Sequence, residues 1–330
     1  MEQIRLGTIG TGKIVHSILN AVEKTEGICL EAVYSRTEEN GKRLAQEYHA
    51  EKVYTDLDEM LSDEAVNCVY VASPNSLHYA QVKKTLLKGK HVICEKPFCP
   101  ESWQLEELTR LAKEKQLFLI DATPTAFLPN FELLKSLLAK IGKLRLVLCN
   151  YSQYSSRYDL LRDGKIPNIF SLDFAGGCIQ DINYYNVYIA ASLFGLPEQM
   201  TYYPNICPAG TDSSGILILK YPDFIFEAAG AKDTWGVNSV QMEGEDGFIY
   251  IEDGSNGIRN VKLVTKQGER FYNEQPDPDR YDYEIQKITD MMKNEQYEKA
   301  YELLRTTTAA ISIIEQSRKA AGIHFLGDLK

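Results

Sequence analysis

The first 121 residues constrain the fold most, because short apolar runs alternate there with helix-patterned segments. Strands are expected at roughly 4–10, 29–35, 66–72, 91–95 and 117–121, with a weaker one near Val53 and helices between them. Runs such as CVYVA and HVIC show little polar alternation, the signature of strands covered on both faces. A chain ordered this way builds a doubly wound parallel sheet, so the fold class is α/β.

Past Asp121 the pattern changes. DATPTAFLPNFELL leads into a helix, and KLRLVLCNYSQY, SSGILILKY, FIFEAAG, VNSVQMEG, GFIYIED and VKLVTKQ then follow with period-two character. Turn signals such as Tyr221-Pro222-Asp223 and Asp246-Gly247 separate them, which predicts a large, mostly antiparallel sheet. IQDINYYNVYIAASLFG reads as one helix ended by Gly195 and Pro197, and two helices close the chain after EQPDPDRYD. Two domains are expected, 1–122 and 123–330.

The net charge of −10 argues against nucleic-acid and anionic-membrane partners, since no basic patch is visible to meet a phosphate backbone. Seven cysteines are scattered without C-x-x-C spacing, which predicts free thiols in a reducing compartment. MEQIRLGTIG runs straight into a strand without a signal-peptide pattern, and VYIAASLFGL is too short to span a bilayer, so a cytoplasmic protein is expected. No H-E-x-x-H or clustered Cys/His is present, which predicts no metal, and no G-x-S-x-G marks a serine hydrolase.

Gly10-Thr11-Gly12, followed by Lys13 and Ile14, sits where the first strand turns into the first helix. Two glycines there permit a tight turn and let backbone N–H groups approach a pyrophosphate, although the third fingerprint position is Val15. At the end of strand two stand Ser35 and Arg36, where NAD-preferring sites place an acid. A hydroxyl beside a guanidinium suits a 2′-phosphate, which favours NADP(H) with NAD(H) possible. Ser73-Pro74-Asn75 follows the next sheet strand at the carboxyl edge, where ligands of such folds bind, and Asn75 or Ser76 is expected to cap the helix. His78 lies one turn into that helix.

The strand HVICE ends at the same edge in Glu95-Lys96-Pro97, with Pro97 biasing Lys96 towards an extended backbone and Glu95 placed to orient an ammonium or a ribose hydroxyl. Together GTGKI, the SR pair, VASPNSLH, GKHVICEKPF and GGCIQDINYY resemble the glucose-fructose oxidoreductase, inositol dehydrogenase and rhizopine-catabolism (Gfo/Idh/MocA) family along nearly the whole chain. The resemblance implies a Rossmann domain followed by an α/β domain with an open sheet, through which the family often forms homo-oligomers, dimers or tetramers. It also implies a nicotinamide cofactor and hydride exchange at a hydroxyl-bearing carbon of a sugar, cyclitol or diol.

Carried over by motif, Lys96 contacts substrate and cofactor, Asp181 is the acid of the second motif, and Tyr185 is the proton-transfer residue. Inositol dehydrogenases carry histidine at the last position, so Tyr185 points to the sugar-oxidoreductase and dihydrodiol-dehydrogenase-like branches. Cys178 and Asn183 stand where many members have glycine, and Ala126 where an arginine often follows. Four residues along a helix place Asp181 and Tyr185 on one face. A tyrosine with a pKa of about 10 needs a cation to act as base near neutrality, and Lys96 is the expected source. Arg157 in YSQYSSRYD is a candidate substrate contact on a strand edge. An alternative from another class is a dinucleotide-binding sensor without turnover; a third reading is a reductase of a non-sugar carbonyl.

Overall fold

The computed structural model describes residues 3–329. Its first half runs β1 (Ile4–Ile9), α1 (Lys13–Lys24), β2 (Ile28–Tyr34), α2 (Glu38–Glu47), β3 (Lys52–Tyr54), α3 (Leu57–Ser62), β4 (Cys68–Val71), α4 (Asn75–Leu87), β5 (His91–Glu95), α5 (Ser102–Lys115) and β6 (Leu119–Ala122). All six strands pair in parallel in the order β3-β2-β1-β4-β5-β6, the doubly wound arrangement in which the order reverses beside β1. Cys68 to Val71 are buried throughout, as expected of a central strand covered on both faces. On α1 the buried positions Val15, Ile18, Leu19 and Val22 recur at helical spacing and turn one stripe inward.

The second half runs α6 (Pro129–Leu138), β7 (Leu144–Ser152), α7 (Ser156–Arg162), α8 (Cys178–Asp181), α9 (Asn183–Phe194), β8 (Gln199–Ile206), β9 (Asp212–Lys220), β10 (Ile225–Ala231), β11 (Ser239–Gly244), β12 (Gly247–Glu252), β13 (Arg259–Thr265), β14 (Gly268–Tyr272), α10 (Arg280–Lys293) and α11 (Tyr297–Ala320). Eight strands form one sheet in the order β14-β13-β12-β11-β7-β10-β9-β8, antiparallel except where β10 pairs with β7. Alternate residues, among them Val147, Leu217, Leu219, Phe226, Val240, Met242, Ile249 and Ile251, are buried on one face, and α9 packs there against β7 and β10.

The chain divides by contacts into two compact units. The first holds residues up to Cys99, Trp103–Thr123 and Asp279–Arg305; the second holds Pro100–Ser102, Pro124–Pro278 and the chain from Thr306. So α10, from the far end of the chain, is an element of the first unit, where it packs on α1 and Asp282 takes an ion pair from Lys24 at 2.7 Å.

Two expectations are corrected. The segment read as one helix from residue 179 is two, α8 and α9, separated at Ile182, and it starts one residue earlier. The helix after Ser73 is not capped by Asn75 or Ser76: Pro74 is its N-cap residue and Asn75 its first helical residue. Proline suits that position because it has no N–H to leave unsatisfied.

Candidate active site

In the first unit the candidate cofactor residues gather at the carboxyl ends of the parallel strands. Gly10 follows β1 with φ +117°, and a Cβ there would lie 2.6 Å from the carbonyl oxygen of Ala72, after β4. Glycine is required, and it draws the first turn against the turn after β4. Thr11 leads to Gly12, the N-cap residue of α1, where a Cβ would meet nothing within 4 Å. Lys13 and Ile14 are the first two helical residues, and no acid occupies the first turn, so the N–H groups there can receive an anion. Val15 is fully buried in the core.

Ser35 is buried at the end of β2, its Oγ accepting from the N–H of Thr37 at 3.4 Å. Arg36 beside it is exposed, with no ion pair among the described residues. These features fit a dinucleotide carrying a 2′-phosphate: an open helix N-terminus for the pyrophosphate, and a free guanidinium in place of a carboxylate.

His78 is buried and spans two turns of this edge, with Nε2 2.8 Å from the carbonyl of Ser73 and Nδ1 3.1 Å from that of Pro97. Burial holds its pKa below the ordinary value; the neutral ring donates its single N–H to one of these carbonyls and packs against the other, between the Ser73-Pro74-Asn75 turn and the Glu95-Lys96-Pro97 turn. The Lys96–Pro97 peptide is cis. Lys96 is half-buried.

Glu95 is buried, and its carboxylate accepts from the hydroxyl of Tyr70 on β4. Burial pushes its pKa up to about 7, while the Tyr70 hydrogen bond and the charges of Lys96 and Arg280 oppose the rise. Two further acids share this interior. Asp121 on β6 accepts from the Thr123 hydroxyl at 2.7 Å, and Glu284 on α10 is wholly buried, with neither carboxyl oxygen paired among the described residues. Burial first, then Glu95 and Asp121, drive the Glu284 pKa well up, so it is the acid that stays protonated. Tyr70, Asp121, Arg280 and Glu284 were not among the expected site residues. Glu284 left a signal in the sequence, since it lies on the apolar stripe of Ile285, Ile288, Met291 and Met292.

In the second unit Asp181 ends α8 and Tyr185 lies in the first turn of α9. Tyr185 is buried in a cluster with Tyr151, Cys178 and Ile182, its ring edge-on to Tyr151 at 5.7 Å. Asp181 is ion-paired with Lys232, which follows β10 and is 2% exposed. The Lys232 ammonium also lies 5.6 Å from the centre of the Phe170 ring. Nothing in AAGAKDTW separates Lys232 from a surface-turn lysine.

The residues that replace family glycines are accommodated by a glycine elsewhere. A Cβ on Gly230 would lie 2.8 Å from the Asn183 Cβ and 3.1 Å from the Cys178 Sγ. Asn183 then donates to the carbonyl of Ala228 at 3.0 Å, and Asn186 to that of Ala229 at 2.9 Å, fixing α9 on β10. Arg157 is not on a strand edge. Ser155 caps α7 by accepting from the N–H of Arg157, whose side chain is exposed on that helix. Among the described residues no group of three or more His, Cys, Asp or Glu is arranged to hold a metal ion.

A doubly wound sheet with an anion-ready glycine turn in the first unit fits a nicotinamide-dependent oxidoreductase, and the second unit carries a half-buried Asp181 ion-paired with the buried Lys232, and a buried Tyr185. The model of the oxidoreductase family with an NAD-binding Rossmann fold matches residues 4–122. The chain is 34% identical to scyllo-inositol 2-dehydrogenase (NADP(+)) IolU of Bacillus subtilis, over 98% of this chain and 99% of that one. It is 25% identical to human trans-1,2-dihydrobenzene-1,2-diol dehydrogenase, over 98% and 99% of the two chains. The fold is shared with the 3-ketoreductase KijD10 of Actinomadura kijaniata, solved with NADP and TDP-benzene, at a TM-score of 0.82 and 19% identity over 96% and 98%. The chain belongs to the Gfo/Idh/MocA oxidoreductase family and exchanges hydride with a nicotinamide cofactor.

Proposed function

We propose that the chain is an NADP(H)-preferring dehydrogenase or reductase of a small polyhydroxylated substrate, a cyclitol, sugar or diol, or of its carbonyl form. The observation that carries this reading is the near full-length likeness to a scyllo-inositol 2-dehydrogenase that uses NADP(+). Ser35 and Arg36 support the cofactor preference from the chain's own residues. The first unit would hold the cofactor through Gly10, Thr11, Gly12, Lys13, Ile14, Ser35, Arg36, the Ser73-Pro74-Asn75 turn, Glu95 and Lys96, with His78 fixing two of those turns. The second unit would supply the substrate side.

When bound, the nicotinamide ring accepts or returns the hydride. Oxidation of an alcohol also needs a base for the hydroxyl proton, and Tyr185 is assigned that role, acting as acid in reduction. Asp181 orients the substrate hydroxyl, and Lys96 supplies positive charge where an alkoxide develops. The buried surroundings of Tyr185 exclude competing water.

The protein is assigned to the cytoplasm, in keeping with seven cysteines that form no disulfide among the described residues; among those residues no helix is long and apolar enough to cross a membrane. It is assigned a homo-oligomeric state through the open face of the eight-stranded sheet. Tyr203, Ile216, Ile225 and Phe271 are exposed on that face, beside half-buried Leu146, Leu148, Ile218 and Tyr250. Incubation with NADP+ or NAD+ and a panel of inositols, aldoses and vicinal diols, followed by absorbance of the reduced cofactor, tests the activity. Turnover of at least one cyclitol or diol with NADP+ is expected; tight cofactor binding without turnover across the panel would favour a sensor.

A further inference from the structure

Lys232 is held by structure on every side. Its N–H donates to the carbonyl of Ser213 on β9 at 2.8 Å, and its carbonyl accepts from Ser155 at 2.9 Å, so the backbone at the end of β10 is fixed in two directions. The side chain is 3% exposed and its ammonium meets the Asp181 carboxylate. Asp181 keeps 20% of its side chain exposed, so the burial cost falls mainly on the Lys232 ammonium; removing such an ion from water costs several kcal/mol, and apolar replacements of buried pairs are often neutral or stabilising. Stability alone does not account for this pair.

Other acids lie nearby, but each has its own donors. Asp212 on β9 accepts from the N–H of Ile179 and from the Tyr202 hydroxyl, both at 2.6 Å. Asp233 accepts from the hydroxyls of Ser213 and Ser214 at 2.7 and 3.0 Å. Cys178 and Tyr202, which feel these charges, are neutral groups whose pKa burial raises. Asp181 is the acid that Lys232 engages directly. The short helix α8 is therefore gripped at both ends, by Asp212 at Ile179 and by Lys232 at Asp181, and Tyr185 is carried one turn beyond.

We infer that Lys232 is a positioning residue for the reaction, holding Asp181 ionised and oriented so that it and Tyr185 present one fixed arrangement to the substrate hydroxyl. The inference rests on the assignment of Asp181 and Tyr185 to catalysis. Lys96 keeps its role toward the developing alkoxide, and Lys232 acts on the reaction only through Asp181.

The test compares Lys232→Met, Lys232→Arg, Asp181→Asn and Tyr185→Phe on whichever panel substrate turns over, with NADPH binding followed by fluorescence. Lys232→Met is expected to lower kcat about 100-fold through misplacement of reacting groups. NADPH binding should stay unchanged, and the acidic limb of kcat/KM should move up by about one pH unit as Asp181 loses its cation. Lys232→Arg should restore most of both. A Lys232→Met protein with a lowered Tm but wild-type kcat and acidic limb would overturn the inference. Should Lys232→Met not fold, Asp181→Asn/Lys232→Met leaves no buried unpaired charge: kcat equal to that of Asp181→Asn supports the coupling, and a further large loss overturns it. Tyr185→Phe at full rate would remove the base assignment and the Lys232 role with it. An inactive Tyr185→Phe beside an unaffected Lys232→Met would remove the Lys232 role alone.

Discussion

Glu95 has to serve a cofactor edge while sitting where burial favours its neutral form. A rise to about 7 from an ordinary value of 4.5 corresponds to about 3 kcal/mol between the protonation states. Glu284, wholly buried and without a hydrogen-bond partner among the described residues, is displaced further in the same direction. Both acids keep protons in the folded chain that the unfolded chain gives up, so their contribution to stability falls as pH rises from the ordinary 4.5 through the folded pKa values. Glu284→Gln should therefore match wild type in Tm at pH 5 and exceed it by several degrees at pH 8, measured by calorimetry. An equal difference at both pH values would show that Glu284 is not held protonated. On the other side of the unit, Arg36→Ala should weaken NADPH by about tenfold or more in fluorescence titration through loss of a charge-assisted phosphate contact, with little effect on NADH. Equal losses would rule out the phosphate role. Lys96, Asp181 and Tyr185 were visible as residues only through motifs. Lys232 and Tyr70 were not, because their burial depends on elements far away in sequence.

At the scale of elements, glycines and caps set where the helices begin. Gly177 precedes α8 with φ +118°, and a Cβ there would lie 2.2 Å from the Asp212 Oδ1. Gly177→Ala combines a disfavoured backbone with a clash against a buried carboxylate, so the start of α8 must move. The expected outcome is loss of turnover with NADPH binding retained, since the glycine turn before α1 is untouched; kinetics and titration on one preparation check this. Strand positions in the first unit were legible because parallel, doubly covered strands are continuous apolar runs. The two strands that pattern reading missed, β8 and β14, are the two edges of the larger sheet. Pro204 interrupts the strand pattern of β8, and GERFY is short and polar, features that edges tolerate and centres do not. The break at Ile182 was invisible because apolar periodicity runs on through it.

For the molecule as a whole, the order of the chain is a poor guide to its units. Residues 279–305 follow the larger sheet in sequence but complete the first unit. No composition shift announces that return, so a single boundary near residue 122 was the natural reading of sequence alone. The acidic net charge keeps the surface soluble, but the open sheet face carries exposed Ile216 and Ile225 on neighbouring strands. Ile216→Asp/Ile225→Asp should convert an oligomer to monomer in light scattering after size exclusion while leaving NADPH binding intact. A wild-type protein that is monomeric at micromolar concentration would contradict the assigned interface. If Tyr185 moves the proton in hydride transfer, its loss must slow the chemical step itself, which single-turnover hydride transfer in Tyr185→Phe measures. The expected rate is about 100-fold slower than wild type or worse, with NADPH affinity unchanged. A rate equal to that of wild type would contradict it.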